Sequence, residues 1–141
     1  MNIQEAIKVM HQGSYNEKME YLNFLYITFD TYNRNIEHAD AVINVLIDCA
    51  LASKEDKLLD EILEVICSAQ VSQNLQNINY DRIAVSLNDL PIKYLPKYIE
   101  ILGNTYDKRY VASILQFKNH CNKYVNEAVS DALVELQVTD L

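Results

Sequence analysis

Apolar positions recur at helical spacing along nearly the whole chain. The pattern is clearest from Tyr124 to Leu136, where Val125, Ala128, Val129, Ala132, Leu133 and Leu136 fall at i, i+3, i+4, i+7, i+8 and i+11. At about 100° per residue these positions share one face, so the stretch predicts an amphipathic helix whose alanines allow close approach by a neighbour. The same periodicity predicts helices upstream. The first covers Asn2 to Gln12, with Ile3, Ala6, Ile7 and Met10 on one face, and Gly13 stands where a helix end favours a left-handed residue. Ser14 or Asn16 caps a second helix, which runs to about Tyr32 and buries Tyr21, Leu22, Leu25 and Phe29. After a polar break at Asn33 to Glu37, a third helix over His38 to Ala52 presents Val42, Val45, Leu46 and Cys49. Ser53, followed by Lys54, Glu55 and Asp56, reads as the cap of a fourth helix through Ala69, with Leu58, Leu59, Ile62, Val65 and Ile66 inward.

Val71 to Asn79 is the most polar and least periodic stretch and predicts the longest loop, joining two halves. Beyond it, a fifth helix over Tyr80 to Asn88 carries Ile83, Ala84 and Leu87. Pro96 fits the first turn of a sixth, which buries Tyr98, Ile99 and Leu102 and stops at Gly103. A seventh, Tyr106 to Phe117, turns Val111, Ile114 and Leu115 inward. A weak repeat runs through these helices: Val42, Val45 and Leu46 match Val111, Ile114 and Leu115 at an offset of 69, and Leu58, Ile62, Val65 and Ile66 match Val125, Val129, Ala132 and Leu133 at an offset of 67. The expected fold is all-α and a single domain over 1–141. It is a short right-handed α-solenoid of about four helical hairpins, each covering apolar surface that its neighbour exposes. An irregular helical bundle with coincidental periodicity is the alternative.

Composition narrows the picture. Two glycines and two prolines in 141 residues leave little material for hairpin turns or phosphate-cradling loops, which argues against all-β and Rossmann-like folds. The longest apolar run, Ala39 to Ala52, is interrupted by Asp40, Asn44 and Asp48 and is too short to span a bilayer, and MNIQEAIKVMHQ has no export-signal pattern. Cys49, Cys67 and Cys121 are odd in number, without CxxC spacing, and read as buried free thiols in a reducing cytoplasm. His11, His38 and His120 have no ligating partner at i+3 or i+4, and neither GxSxG nor HExxH occurs, so no catalytic residue, metal or cofactor is assigned. Tyr21, Tyr98 and Tyr124 fall on or beside apolar stripes and read as core, whereas Tyr26, Tyr94, Tyr106 and Tyr110 lie at stripe margins or helix ends.

The net charge of −8 is uneven: residues 1–90 hold 6 basic and 14 acidic residues, 91–124 hold 6 basic and 2 acidic, and 125–141 hold 4 acidic and none basic. Such a chain repels nucleic acid and anionic membrane over most of its surface and attracts a basic partner. In a stack of hairpins the second helices line one surface. Their faces opposite the apolar stripes carry Asp30, then Asp60 and Glu64, then Glu100, then Glu127 and Asp131. These six acids are the candidate partner-binding residues, and a solvated face explains the same pattern.

LPKYIEIL, DKRYVASIL and YVNEAVSDALVEL together resemble the helical hairpins of HEAT-like repeat proteins, whose last helix has the form V..AV..AL..L. The likeness covers the last fifty residues or so and, more loosely, residues 38–70. It departs from the usual motif in having no proline at the start of the seventh helix and Tyr124 where an arginine is usual. Small acidic HEAT-like proteins without catalytic motifs resemble, in type and size, bacterial immunity proteins of polymorphic toxin systems. That resemblance implies a non-catalytic, cytoplasmic, monomeric protein that neutralises a toxin domain, such as a basic nuclease, by direct binding. A scaffold or adaptor, or a nucleic-acid-acting enzyme of the HEAT-like glycosylase type, are the other readings. Lys93, Lys97, Lys108, Arg109, Lys118 and Lys123 would supply the cationic surface of the enzyme.

Overall fold

A computed structural model describes residues 1–32 and 34–138. Asn33, at the head of the expected polar break, and Asp140, one of the C-terminal acids, lie outside the described residues. Those described form eight α-helices and two short 3-10 turns, with no strand among them. The chain divides into two compact units, Met1–Asn79 and Tyr80 onward.

The first unit holds α1 (Ile3–Gln12), α2 (Tyr15–Thr31), α3 (Ala39–Ala52) and α4 (Asp56–Ser72). Packing is most extensive between α2 and α4, then between α3 and α4 and between α1 and α3. Leu22, Leu25 and Phe29 of α2, Ile43, Leu46 and Ile47 of α3, and Ile62, Leu63 and Ile66 of α4 are fully buried, each contributing about 1.5–3 kcal/mol. On α3 the buried face is centred between Val42–Leu46 and Ile43–Ile47, leaving Val45 and Cys49 only half-buried.

Capping sets the helix starts. Asn2 Oδ1 accepts the Glu5 N–H at 3.1 Å, and Ser14 rather than Asn16 opens α2 through a reciprocal box: its Oγ accepts from Glu17 N at 3.1 Å while Glu17 Oε1 accepts from Ser14 N at 2.9 Å. Gly13 is not left-handed: at φ −69° and ψ 158° it is extended. A Cβ there would lie 2.5 Å from the Val9 carbonyl oxygen, so glycine is needed for room where α2 leaves α1. Ser53 does not cap α4. It closes α3, its N–H donating to the Ala50 carbonyl, and its Oγ accepts from Glu55 N at 3.3 Å, so that α4 begins at Asp56.

α4 absorbs Val71 and Ser72, which shortens the expected loop, and side chains pin the remainder to the start of α3. Gln73, only 7% exposed, donates through Nε2 to the Arg34 carbonyl at 3.1 Å and accepts the Ile36 N–H at 2.6 Å. Asn35 Oδ1 accepts from Asn74 N, and Asp40 Oδ2 accepts from both Gln76 N and Asn77 N. Asn44 donates to the Asn77 carbonyl and accepts from Asn79 N. The polarity of this stretch is the means by which its backbone groups find partners without a helix.

The second unit holds α5 (Asp81–Ser86), which runs into a 3-10 turn at Leu87–Asp89, then α6 (Leu95–Gly103), a 3-10 turn at Lys108–Tyr110, α7 (Val111–Leu115) and α8 (Lys123–Glu135). Pro96 stands in the first turn of α6, where its missing N–H costs nothing. The seventh helix is shorter than its periodicity predicts because Asp107 Oδ1 accepts from Arg109 N at 3.0 Å, which fixes a 3-10 turn over the first part of the stretch. α8 opens at Asn122, whose Oδ1 accepts from Tyr124 N and Val125 N. α6 and α8 are the most extensively packed pair of this unit. Gly103 is the last residue of α6, buried against α8.

Several margin residues fall otherwise than the stripes predict. Tyr124 is exposed, while Tyr94 and Tyr110 are buried, as Tyr98 is. Cys67 is buried, but Cys49 is half-buried and Cys121 exposed. Left-handed backbone occurs at His38, Tyr106, Asn119 and Gln137, with φ of 66, 56, 63 and 59°, and at neither glycine.

Candidate functional site

All six candidate acids are exposed, and they fall into two sets, one in each unit. In the first unit Asp30 lies near the end of α2, and Asp60 and Glu64 lie one turn apart on α4, the helix against which α2 packs. The outward face of α2 that carries Asp30 also carries Phe24 and Ile27, which are 59% and 51% exposed. An apolar pair left in water beside a carboxylate is not what solubility alone requires.

In the second unit Glu100 of α6 and Glu127 and Asp131 of α8 line a single groove of about 620 Å³. Pro96 comes from the α6 side and Ala128 and Ala132 from the α8 side. Tyr124 and Val134, 67% and 71% exposed, also line it. Two features of this groove escaped the sequence reading although their spacing was visible. Lys97 Nζ lies 3.3 Å from Glu100 Oε2, an i,i+3 pair that offsets the Glu100 charge. Glu135 joins Glu127 and Asp131 at i+8 and i+4, extending the acidic wall by one turn.

The basic segment is partly committed to internal pairing. Arg109 Nε lies 2.7 Å from Asp107 Oδ2 and its Nη1 lies 3.8 Å from Asp81 Oδ1, while Asp81 Oδ1 accepts from Tyr110 Oη at 2.7 Å. Hydrogen bonds from the Arg109 backbone and then its guanidinium hold the Asp107 carboxyl below the usual carboxylate range. Burial first, then the bond to Asp81, push the Tyr110 phenol up. These groups tie Tyr110 and the 3-10 turn to the start of α5.

A second hollow, of about 660 Å³ in the first unit, brings His11, Lys18, Asp48 and Cys49 to one surface, a grouping of residues from different helices that linear spacing did not reveal. Burial raises the Cys49 thiol, Asp48 adds to the rise and Lys18 opposes it. A raised thiol holds little thiolate at neutral pH, the reverse of what nucleophilic attack needs.

Among the described residues no three or more histidine, cysteine or carboxylate side chains are placed to hold a metal ion, and no helix is long and apolar enough to cross a membrane. No family model, curated protein or solved structure gives a match to this chain.

Proposed function

We propose that this chain is a non-catalytic protein-binding module built on a HEAT-like hairpin stack, and that it acts as an immunity protein, neutralising a basic toxin domain by direct binding. The observation that carries the reading is the pairing of exposed carboxylates with exposed apolar side chains on the second helix of the first hairpin and of the last. Asp30 accompanies Phe24 and Ile27 on α2, and Glu127 and Asp131 accompany Tyr124 and Val134 on α8. Binding surfaces need both, the charge to steer encounter and the desolvated apolar contact to hold the complex. The packing of second helix on second helix, α2 on α4 and α6 on α8, with α1 on α3, supports the hairpin stack. Basic residues on the toxin would meet carboxylates standing where substrate phosphates would otherwise bind.

The test is capture of the partner from the native host, followed by stopped-flow association at two ionic strengths. Asp60→Lys with Glu64→Lys, and separately Glu127→Lys with Asp131→Lys, should slow association and flatten its salt dependence, because exposed charges act on encounter rate and are screened over about 8–10 Å. An acidic partner, or unchanged rates in both double variants, would sink the reading.

A further inference from the structure

α2 carries apolar side chains on two faces. Leu22, Leu25 and Phe29 are buried in the first unit, whereas Phe24, Ile27, Thr28 and Thr31 recur at i, i+3, i+4 and i+7 on the outward side. Phe24, Ile27 and Thr31 are exposed and Thr28 is half-buried. The threonines extend this strip because their hydroxyls are bonded to the helix itself: Thr28 Oγ1 donates to the Phe24 carbonyl at 2.7 Å, and Thr31 Oγ1 to the Ile27 carbonyl at 2.8 Å. The Phe24 ring lies against that of buried Tyr21, with centroids 6.4 Å apart. Glu20 stands one turn before Phe24, and Asp30 follows Ile27 at i+3. Among the described residues neither carboxylate makes an ion pair. Lys18, the one cation of α2, lines the hollow beside Cys49, Lys8 of α1 acts on Glu17, and Arg34 comes after the helix has ended.

From this strip and the charge beside it we infer that the outward face of α2 receives a basic amphipathic helix of the partner protein, with aliphatic side chains on Phe24 and Ile27 and lysine or arginine side chains reaching Glu20 and Asp30. The inference rests on the protein-binding reading above and deepens it, by placing the contact on α2 and naming the partner's element. Apolar side chains at i, i+3, i+4 and i+7 are the means by which one helix seats along another. Glu20 to Thr31 spans about 17 Å, which sets the engaged segment at about three helical turns. Charge decides between occupants. A second copy of α2 would set Glu20 and Asp30 against the same two carboxylates in either orientation, and juxtaposed like charges are strongly disfavoured at an interface. The same carboxylates oppose an anionic membrane surface. A basic helix satisfies both the apolar strip and the acids beside it.

The probe is a fluorescently labelled synthetic helix of about three turns, with leucines at i, i+3, i+4 and i+7 and arginines along the margins of that stripe. Two controls accompany it: a peptide of the same composition in scrambled order, and one in which glutamates replace the arginines. Anisotropy titration of the full chain should show the basic amphipathic peptide binding about tenfold tighter than either control. Phe24→Ala with Ile27→Ala should weaken it about tenfold. Glu20→Lys with Asp30→Lys should weaken it and tighten the glutamate peptide. Because Phe24 also touches Tyr21, Ile27→Ser alone serves as a second apolar variant, and circular dichroism melts check that every variant is folded. Equal binding of the amphipathic and scrambled peptides, or an unchanged affinity in both apolar variants, overturns the inference. So does dimerisation in sedimentation that Phe24→Ala with Ile27→Ala abolishes, because the face then belongs to a second copy. If the glutamate peptide binds wild type most tightly, the inference and the reading of a basic partner both fall. If no peptide binds, the inference falls, and the host capture experiment tests the broader reading independently. A captured partner slowed by Glu127→Lys with Asp131→Lys but by neither α2 double variant also ends the inference, while the protein-binding reading stands.

Discussion

Gly103 and Ala132 touch so closely that a Cβ added to Gly103 would lie 2.8 Å from the Ala132 Cβ and 2.9 Å from its Cα. This contact sets the approach of α6 to α8. Gly103→Ala should destabilise the protein by about 1–3 kcal/mol despite alanine's better helix propensity, because the overlap involves backbone as well as a short side chain. Adding Ala132→Gly should recover part of the loss, and a double-mutant cycle by urea unfolding measures the coupling. Additive losses would mean that the overlap with Ala132 is not the source of the destabilisation. Ala132→Glu, placing an unpaired charge at the same contact, should cost several kcal/mol (roughly, from the usual penalty for such burial).

Gln73 is the buried polar side chain that ties the loop after α4 to the turn before α3. Gln73→Ala should cost about 1–3 kcal/mol by leaving the Ile36 N–H and the Arg34 carbonyl without their partner. Hydrogen exchange at the Ile36 amide is the sharper readout. It should accelerate more than amides inside α2, and an unchanged rate would mean that the bond to Gln73 does not protect it.

Ser14 and Glu17 cap α2 reciprocally, and the Ser14 backbone and hydroxyl bonds lower the Glu17 carboxyl below its ordinary value of 4.5. A carboxyl depressed in the folded state adds stability that is complete above its unfolded value and is lost as pH falls through the folded one. Wild type should therefore lose stability below about pH 4.5 in a step that Ser14→Ala reduces. At neutral pH Ser14→Ala itself should cost about 1 kcal/mol. Thermal melts at pH 7 and in the acid range check both parts.

Tyr21 and Tyr98 are pushed up to about 12, in both cases chiefly by burial. A phenol raised in the folded state favours folding below its unfolded value near 10 and withdraws that stability as pH climbs toward 12. Denaturant midpoints should fall between these pH values. Ultraviolet titration should show the last phenolate absorbance arriving together with loss of helical ellipticity, and complete ionisation in a still-folded protein would count against the burial of Tyr98.

Helix existence and the faces of α2, α4 and α8 were legible in the sequence because long stripes at helical spacing leave little choice. What escaped was decided by residues distant along the chain. Tyr110 looked marginal because it lies near the start of its helix, but Asp81, 29 positions earlier, accepts its hydroxyl and allows its burial. Tyr124 lies beside the stripe of α8, yet α6 covers the other side and leaves the ring facing the groove. Ser53 has the side chain of an N-cap, but its backbone N–H closes α3 and its Oγ accepts from Glu55 N in the turn, so the structure assigns it to α3. Of the candidate site, the acids could be read but not their surroundings. Lys97 and Glu135 changed the charge pattern of the groove, and both were accessible from spacing alone.

The left-handed corners at Tyr106 and Gln137 leave thermostability in reserve. Both glycines serve close approach, so these corners are held by residues with side chains, at a cost of roughly 1–2 kcal/mol each relative to a relaxed backbone. Gln137 follows α8 in a turn where Val138 N donates to the Leu133 carbonyl, a position at which glycine is the commonest residue. A glycine at either corner would relieve that strain, a gain offset in part by the about 0.4–1 kcal/mol that glycine adds to the entropy of the unfolded chain. An engineer seeking a more heat-resistant form could therefore begin at the corners, leaving the helices and the acidic faces unchanged.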